Sequence, residues 1–226
     1  MIEVIPAIIP ESYQLMRAKM EQVKDYVPLV QIDVIDGQFA PDPTWPYTGT
    51  SESAYFDEIV AQKQGFPLWK ELQFEVDLMV NRPELVLDDW IATGASAVII
   101  HADSTENHEE IFDKLAEKGV GIGLALMPSN SNELVDRFVD KIDFLQLMGS
   151  DEIGYHGVEL DPLVYQKLKD IRKAHPDLPI GVDIGVTFET APQLVDAGAT
   201  RLVSGSTIFG AEDIGIAVKE LESMDE

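Results

Sequence analysis

Across 226 residues the chain is 45% hydrophobic and 25% charged, the profile of a folded protein long enough to bury a sizeable core. Its 41 acidic side chains outnumber 16 basic ones, and the formal charge of -25 excludes nucleic acid and anionic membrane as partners, since both need a basic surface that displaces counterions. Cysteine is absent, which excludes disulfides and thiolate metal sites and fits a cytoplasmic location.

Short apolar runs alternate with amphipathic segments from end to end. Residues 2–9 predict a strand and 11–27 a helix, with Tyr13, Met16, Met20 and Val23 at helical spacing. Strand two covers 30–35. In the loop that follows, 37–47, prolines exclude regular structure and aromatics offer something to pack with, the marks of a functional loop or lid. A helix over 53–64 turns Tyr55, Phe56, Ile59 and Val60 inward, and strand three covers 73–80. Pro83 opens a helix that stops at Gly94, strand four is 97–101, and a helix over 107–117 ends at Gly119. Strand five (120–126), a short helix (132–139) and strand six (142–148) come next. A glycine-bearing loop, 149–157, leads to helix 162–174, strand seven (179–183), helix 188–197, strand eight (201–204) and a last helix, 214–222, with an acidic tail expected to fray.

Eight strand and helix pairs of roughly 25–30 residues each predict a closed (β/α)8 TIM barrel, and with no linker dividing the chain, one domain over 1–226. An open doubly wound sheet accepts the same alternation. No apolar run approaches the roughly 20 residues that span a bilayer, and no basic-then-apolar leader opens the chain.

In such a barrel the site lies at the carboxyl ends of the strands, where residues distant in sequence converge. Strand alternation puts Gln31, Asp33 and Ile35 on one face of strand two and Glu75, Asp77 and Met79 on one face of strand three; strand seven ends at Asp183. A lone buried carboxylate is costly enough that it binds a cation, accepts several hydrogen bonds or holds a proton. Two of them about 5 Å apart at an effective dielectric near 20 repel by roughly 3 kcal/mol, so three together need a cation or a shared proton. Asp36, before Gly37, reads as the cap of a turn. His101, at a strand end, is either a hydrogen-bonded structural residue or part of the site; His108 and His175 read as solvated helix residues.

The stretch Asp33-Val34-Ile35-Asp36-Gly37-Gln38-Phe39-Ala40-Pro41, with Thr44 and Trp45 behind it, resembles the signature of the ribulose-phosphate 3-epimerases. The resemblance continues through Val76-Asp77-Leu78-Met79-Val80, Ile100-His101-Ala102, Leu147-Met148, Gly154-Tyr155-His156-Gly157, Val182-Asp183-Ile184-Gly185-Val186 and Val203-Ser204-Gly205-Ser206, in family order over nearly the whole chain. It implies a barrel that inverts C3 of a phosphorylated ketose through a cis-enediolate, with Asp33 and Asp183 as acid and base on opposite faces of the carbon. It further implies a divalent metal ion on Gln31, Asp33, Asp77 and Asp183, substrate contacts from Met79, Met148, Gly154, His156, Gly157, Gly185, Gly205 and Ser206, and a homo-oligomer.

Some positions depart from the family pattern. Gln31 and Asp77 stand where histidines are usual, so the donor set is all oxygen, if the amide turns its oxygen inward, and prefers Mg2+ or Mn2+ over Zn2+. Ile35 stands for a methionine, Ile184 for a glycine and Ala7 for a serine. These departures leave open a barrel that binds a phosphorylated sugar without epimerising it, and an isomerase or aldolase-like activity on another sugar phosphate is a third reading. The net charge repels phosphate at long range, so a phosphate site here depends on local backbone N–H groups.

Overall fold

Parallel strands are covered on both faces, so they read as near-continuous runs of Val, Ile and Leu broken only where a side chain points into the barrel. The computed structural model describes residues 2–155 and 157–225. Its strands β1 (Glu3–Ile8), β2 (Leu29–Ile35), β3 (Gln73–Met79), β4 (Ala97–His101), β5 (Gly121–Leu126), β6 (Phe144–Met148), β7 (Ile180–Asp183) and β8 (Arg201–Ser204) close into one parallel barrel in chain order. The open sheet is thereby replaced by the (β/α)8 architecture. Helices α1 (Tyr13–Val23), α2 (Ser53–Val60), α3 (Leu87–Ala92), α4 (His108–Lys118), α5 (Glu133–Phe138), α6 (Leu163–Ala174), α7 (Ala191–Ala197) and α9 (Ile214–Glu222) surround it. A single helical turn after β8, α8 (Ser206–Phe209), was not expected from periodicity, and Pro83–Leu85 forms a separate 3-10 turn ahead of α3.

Alternation divides the apolar residues into two cores. Ile32, Val34, Val76, Leu78, Ile100, Leu124 and Leu147 face the helices, whereas Ile35, Met79, Ile99, Phe144 and Met148 face the barrel axis. Register sets the height of each inward residue: Gln31 pairs with Glu75, Asp33 with Asp77, and Met148 with Asp183. The acids of β2 and β3 therefore lie level, one strand apart.

The loop after β2 is packed down as a wall of the barrel mouth. Asp36 caps its turn, accepting from the N–H groups of Gln38 (2.7 Å) and Phe39 (2.8 Å), and its other oxygen accepts from Asn81 N–H at 2.8 Å, which ties the loop to the end of β3. Trp45 is fully buried against Tyr13, Phe56, Phe66 and Trp90. Two expectations are corrected in the helical layer. His108 is buried against Phe112 and Phe138, and burial lowers its pKa. The acidic end continues α9 as a 3-10 turn, Ser223–Asp225, with Met224 against the core, because that methionine has an apolar surface to cover.

The amino-terminal end of the barrel is closed by a buried charge network. Arg201 donates from Nε to Glu3 (2.8 Å) and from Nη2 to Glu75 (2.6 Å), and its guanidinium lies 3.9 Å from the Phe144 ring centre. Burial still lifts the Glu75 carboxyl to about 7, against the pull of Arg201. Removing one partner of a buried pair strands the other, so Arg201→Met is expected to destabilise the protein by about 3–5 kcal/mol in urea unfolding, and the double variant with Glu75→Leu to recover most of that loss. A single-variant cost below about 1 kcal/mol would show that removing Arg201 leaves no stranded charge on Glu75.

Candidate active site

Strand parity explains why polar side chains meet at the carboxyl end of this barrel. Gln31 and Asp33 on β2, Asp77 on β3, His101 on β4, Gln146 on β6 and Asp183 on β7 all point inward, and all are buried. Oxygens of Asp33, Asp77 and Asp183 lie within 4.8 Å of one another. The Gln31 amide nitrogen sits between two of these acids, donating to Asp33 Oδ1 at 2.9 Å and to Asp183 Oδ2 at 3.0 Å. His101 Nε2 is 2.8 Å from Asp77 Oδ1, and the Gln146 amide nitrogen reaches Asp77 Oδ2 at 3.3 Å and Asp183 Oδ2 at 3.5 Å.

These contacts correct one expectation. Gln31 presents its N–H2 to the acids, where a ligand would present oxygen, because two neighbouring carboxylates attract a donor. Its Oε1 and that of Gln146 are buried without a hydrogen-bond partner among the described residues. Burial raises Asp33 well above the usual carboxylate range, with Asp183 and Asp77 adding to the rise and the Gln31 hydrogen bond opposing it. Burial, then Asp77, lifts Asp183 to about 7, opposed by the Gln31 amide, the Ile184 N–H and His101. Two neighbouring acids raised above the usual carboxylate range allow one to keep a proton while the other accepts one.

Above the acids lies a cavity of about 500 Å3. Asp33, Asp183, Met79, Met148, Gly154, Gly157, Gly185, Gly205 and Ser206 all line it; His156 lies outside the described residues. Gln31 and Asp77 sit beneath, with no exposed surface. Gly185, at φ +72, has a packing reason beyond any ligand, since a Cβ there would come within 2.8 Å of Leu160. Gly154 likewise packs against Ile35 and Ala40.

Sequence reasoning missed Gln146 and left His101 undecided. Gln146 shares parity with Met148, two residues on, so alternation along Phe144-Leu145-Gln146-Leu147-Met148 held the signal. His101 belongs to the site through Asp77, and Phe39 covers its ring with centroids 5.3 Å apart.

A closed parallel barrel whose strand ends gather three carboxylates under a cavity belongs to the class of (β/α)8 barrels that hold their chemistry at the carboxyl-terminal face. Comparison with known proteins narrows the class. The model of the Ribulose-phosphate 3 epimerase family matches residues 3–209, and the chain belongs to that family. It is 33% identical over 183 residues to the ribulose-phosphate 3-epimerase of Schizosaccharomyces pombe, covering 81% of this chain and 75% of that protein. Against the ribulose-phosphate 3-epimerase of Bacillus subtilis it is 29% identical over 227 residues, 98% of each chain. Among solved structures, 3-hexulose-6-phosphate synthase from Salmonella typhimurium superposes with a TM-score of 0.71 at 14% identity, covering 98% of this chain and 97% of that one, a likeness of fold alone.

Proposed function

We propose that this protein is an isomerase that inverts C3 of a phosphorylated five-carbon ketose, with Asp33 and Asp183 as the two acid–base groups. The observation that carries the proposal is the juxtaposition of two buried carboxyls at the cavity floor, joined through one amide and both raised toward neutrality. Inversion without a redox cofactor requires one group to take the C3 proton and another to return a proton on the opposite face. The Gln31 N–H2 holds the two carboxyls in fixed relation, and the Ile184 N–H, 2.8 Å from Asp183 Oδ1, orients the second of them. Met79 and Met148 give the reacting carbons an apolar, polarisable wall.

The three carboxylates fit a divalent cation, since they are buried, mutually repelling and within 4.8 Å of one another. Asp33, Asp77 and Asp183 would hold it, and oxygen donors favour Mg2+ or Mn2+ over Zn2+. When bound, such an ion supplies positive charge that stabilises negative charge developing on substrate oxygens. His101 and Gln146 hold the Asp77 carboxylate in place from the barrel side.

The test is ribulose 5-phosphate in D2O. Deuterium at C3 together with the C3 epimer is the expected result, and ribulose 5-phosphate recovered without deuterium overturns the proposal. A second reading, a barrel that binds a sugar phosphate without turnover, is favoured by the donor face that Gln31 turns to the acids; binding of the sugar phosphate with no exchange would establish it. The resemblance further supports a homo-oligomer in the cytoplasm built from one barrel per chain. Among the described residues no helix is long and apolar enough to cross a membrane.

The formal charge of -25 and the exposed Glu159 and Glu189 at the cavity give the site a repulsive field for a phosphate. Salt screens that field, with a Debye length near 8 Å at ~0.15 M. Raising NaCl from about 10 mM to 150 mM is therefore expected to increase kcat/KM severalfold through KM. A decrease would mean that a local cation attracts the substrate.

A further inference from the structure

Ile184 is a β-branched residue at φ +75, in the left-handed region that such side chains rarely adopt. Its neighbours hold it there. Its N–H donates to Asp183 Oδ1 at 2.8 Å, the Asp183 carbonyl accepts from Gly149 N–H, and the Ile184 carbonyl packs so closely on Gly149 that a Cβ at that glycine would lie 2.0 Å from it. Backbone strain of this kind costs free energy and persists where the surroundings over-determine it, commonly at sites of function.

The strained backbone re-aims one side chain. In a continuing strand, residue 184 would follow the inward Asp183 onto the helix-facing side. Here the Ile184 side chain packs on the barrel-axis cluster of Ile35, Met79 and Met148 and lines the cavity between Asp183 and Gly185. It lies next to Asp183, to which its N–H is bonded, and shares the cavity lining with Asp33, Ser204, Gly205 and Ser206. A branched hydrocarbon offers a sugar hydroxyl no hydrogen bond. Its bulk exceeds the single CHOH unit by which a six-carbon ketose phosphate outgrows a five-carbon one.

We infer that Ile184 is the residue that sets the length of sugar phosphate the pocket admits, passing five-carbon and rejecting six-carbon chains. The inference rests on the sugar-phosphate reading above. Its test is calorimetric binding of ribitol 5-phosphate and glucitol 6-phosphate to the wild type, Ile184→Gly and Ile184→Asn, both replacements tolerating positive φ. The wild type is expected to prefer the shorter ligand by at least about tenfold, the scale of a one-carbon mismatch, and both variants to reduce that preference to within about threefold. The same preference in all three proteins, or none in the wild type, overturns the inference. Thermal melts confirm that the variants fold, and Asn serves if Gly does not. Exchange on ribulose 5-phosphate separates the two ideas: exchange with unchanged length preference sinks the Ile184 role alone, whereas length-selective binding without exchange sinks the epimerase reading alone.

Discussion

Replacing either Asp33 or Asp183 with asparagine is expected to lower epimerase turnover by about 10²–10⁴-fold while leaving the protein folded. Each side chain is buried and the replacement has nearly the same shape, so the packing around it survives. What disappears is a group that can accept or deliver a proton. Stability is expected to hold or rise, because each substitution removes one member of a cluster whose charges oppose one another. The two variants should also differ in an informative way. An acid left alone can still exchange the C3 proton of the epimer that faces it, so residual deuterium uptake should be confined to one epimer in Asp33→Asn and to the other in Asp183→Asn. Wild-type turnover in either variant would remove that acid from the mechanism, and equal residual exchange of both epimers would argue for a single base.

Stripped of divalent cations, the protein is expected to lose stability as pH rises from about 4 to about 7. The sign follows from where the protons are. In the folded chain Asp183 titrates at about 7 and Asp33 is also raised, whereas in the unfolded chain both titrate near ~3.9. Between those values the folded state holds protons that the unfolded state has released, so unfolding becomes easier with rising pH. The contribution is fully present below pH ~4 and lost above ~7, and one such acid is worth on the order of 4 kcal/mol over the whole window.

Mutual repulsion among the protein's surface acids acts in the same direction, so the slope is read as a difference from Asp183→Asn, which should be flatter. Adding Mg2+ or Mn2+ at pH 8 should restore stability, by ~2.7 kcal/mol at a hundredfold excess over Kd, and should do little at pH 5, where protons occupy the carboxyls. Melts in EDTA and in Mn2+ from pH 5 to 8 check both statements. A wild-type profile parallel to that of Asp183→Asn, or a Mn2+ effect independent of pH, would show that these acids hold neither the proton nor the ion.

Much of the molecule was legible in one dimension. The eight strands and most helix positions followed from apolar periodicity, because side-chain direction in a strand or helix is fixed by its immediate neighbours. Asp33, Asp77 and Asp183 stood out for the same reason, as acids on the inward parity of strands whose helix-facing side is apolar. Where the reading failed, it failed on distant contacts or short helical turns. His108 has a helical neighbour, Phe112, but also needs Phe138 from α5 to bury it. α8 is one turn long, too short to carry a period of its own.

Local chemistry by itself determined which residue types line the barrel and which strand ends carry charge. Closure of the barrel decided the rest. Gln31 meets Asp183 across 152 positions of sequence and Arg201 meets Glu75 across 126, so which face of an amide turns inward and which acid shares a proton depended on side chains that only the completed ring brings together. The left-handed backbone at Ile184 is of the same kind, since no preference of isoleucine favours it and tertiary contacts, among them the packing of Gly149 and the hydrogen bond to Asp183, hold it there.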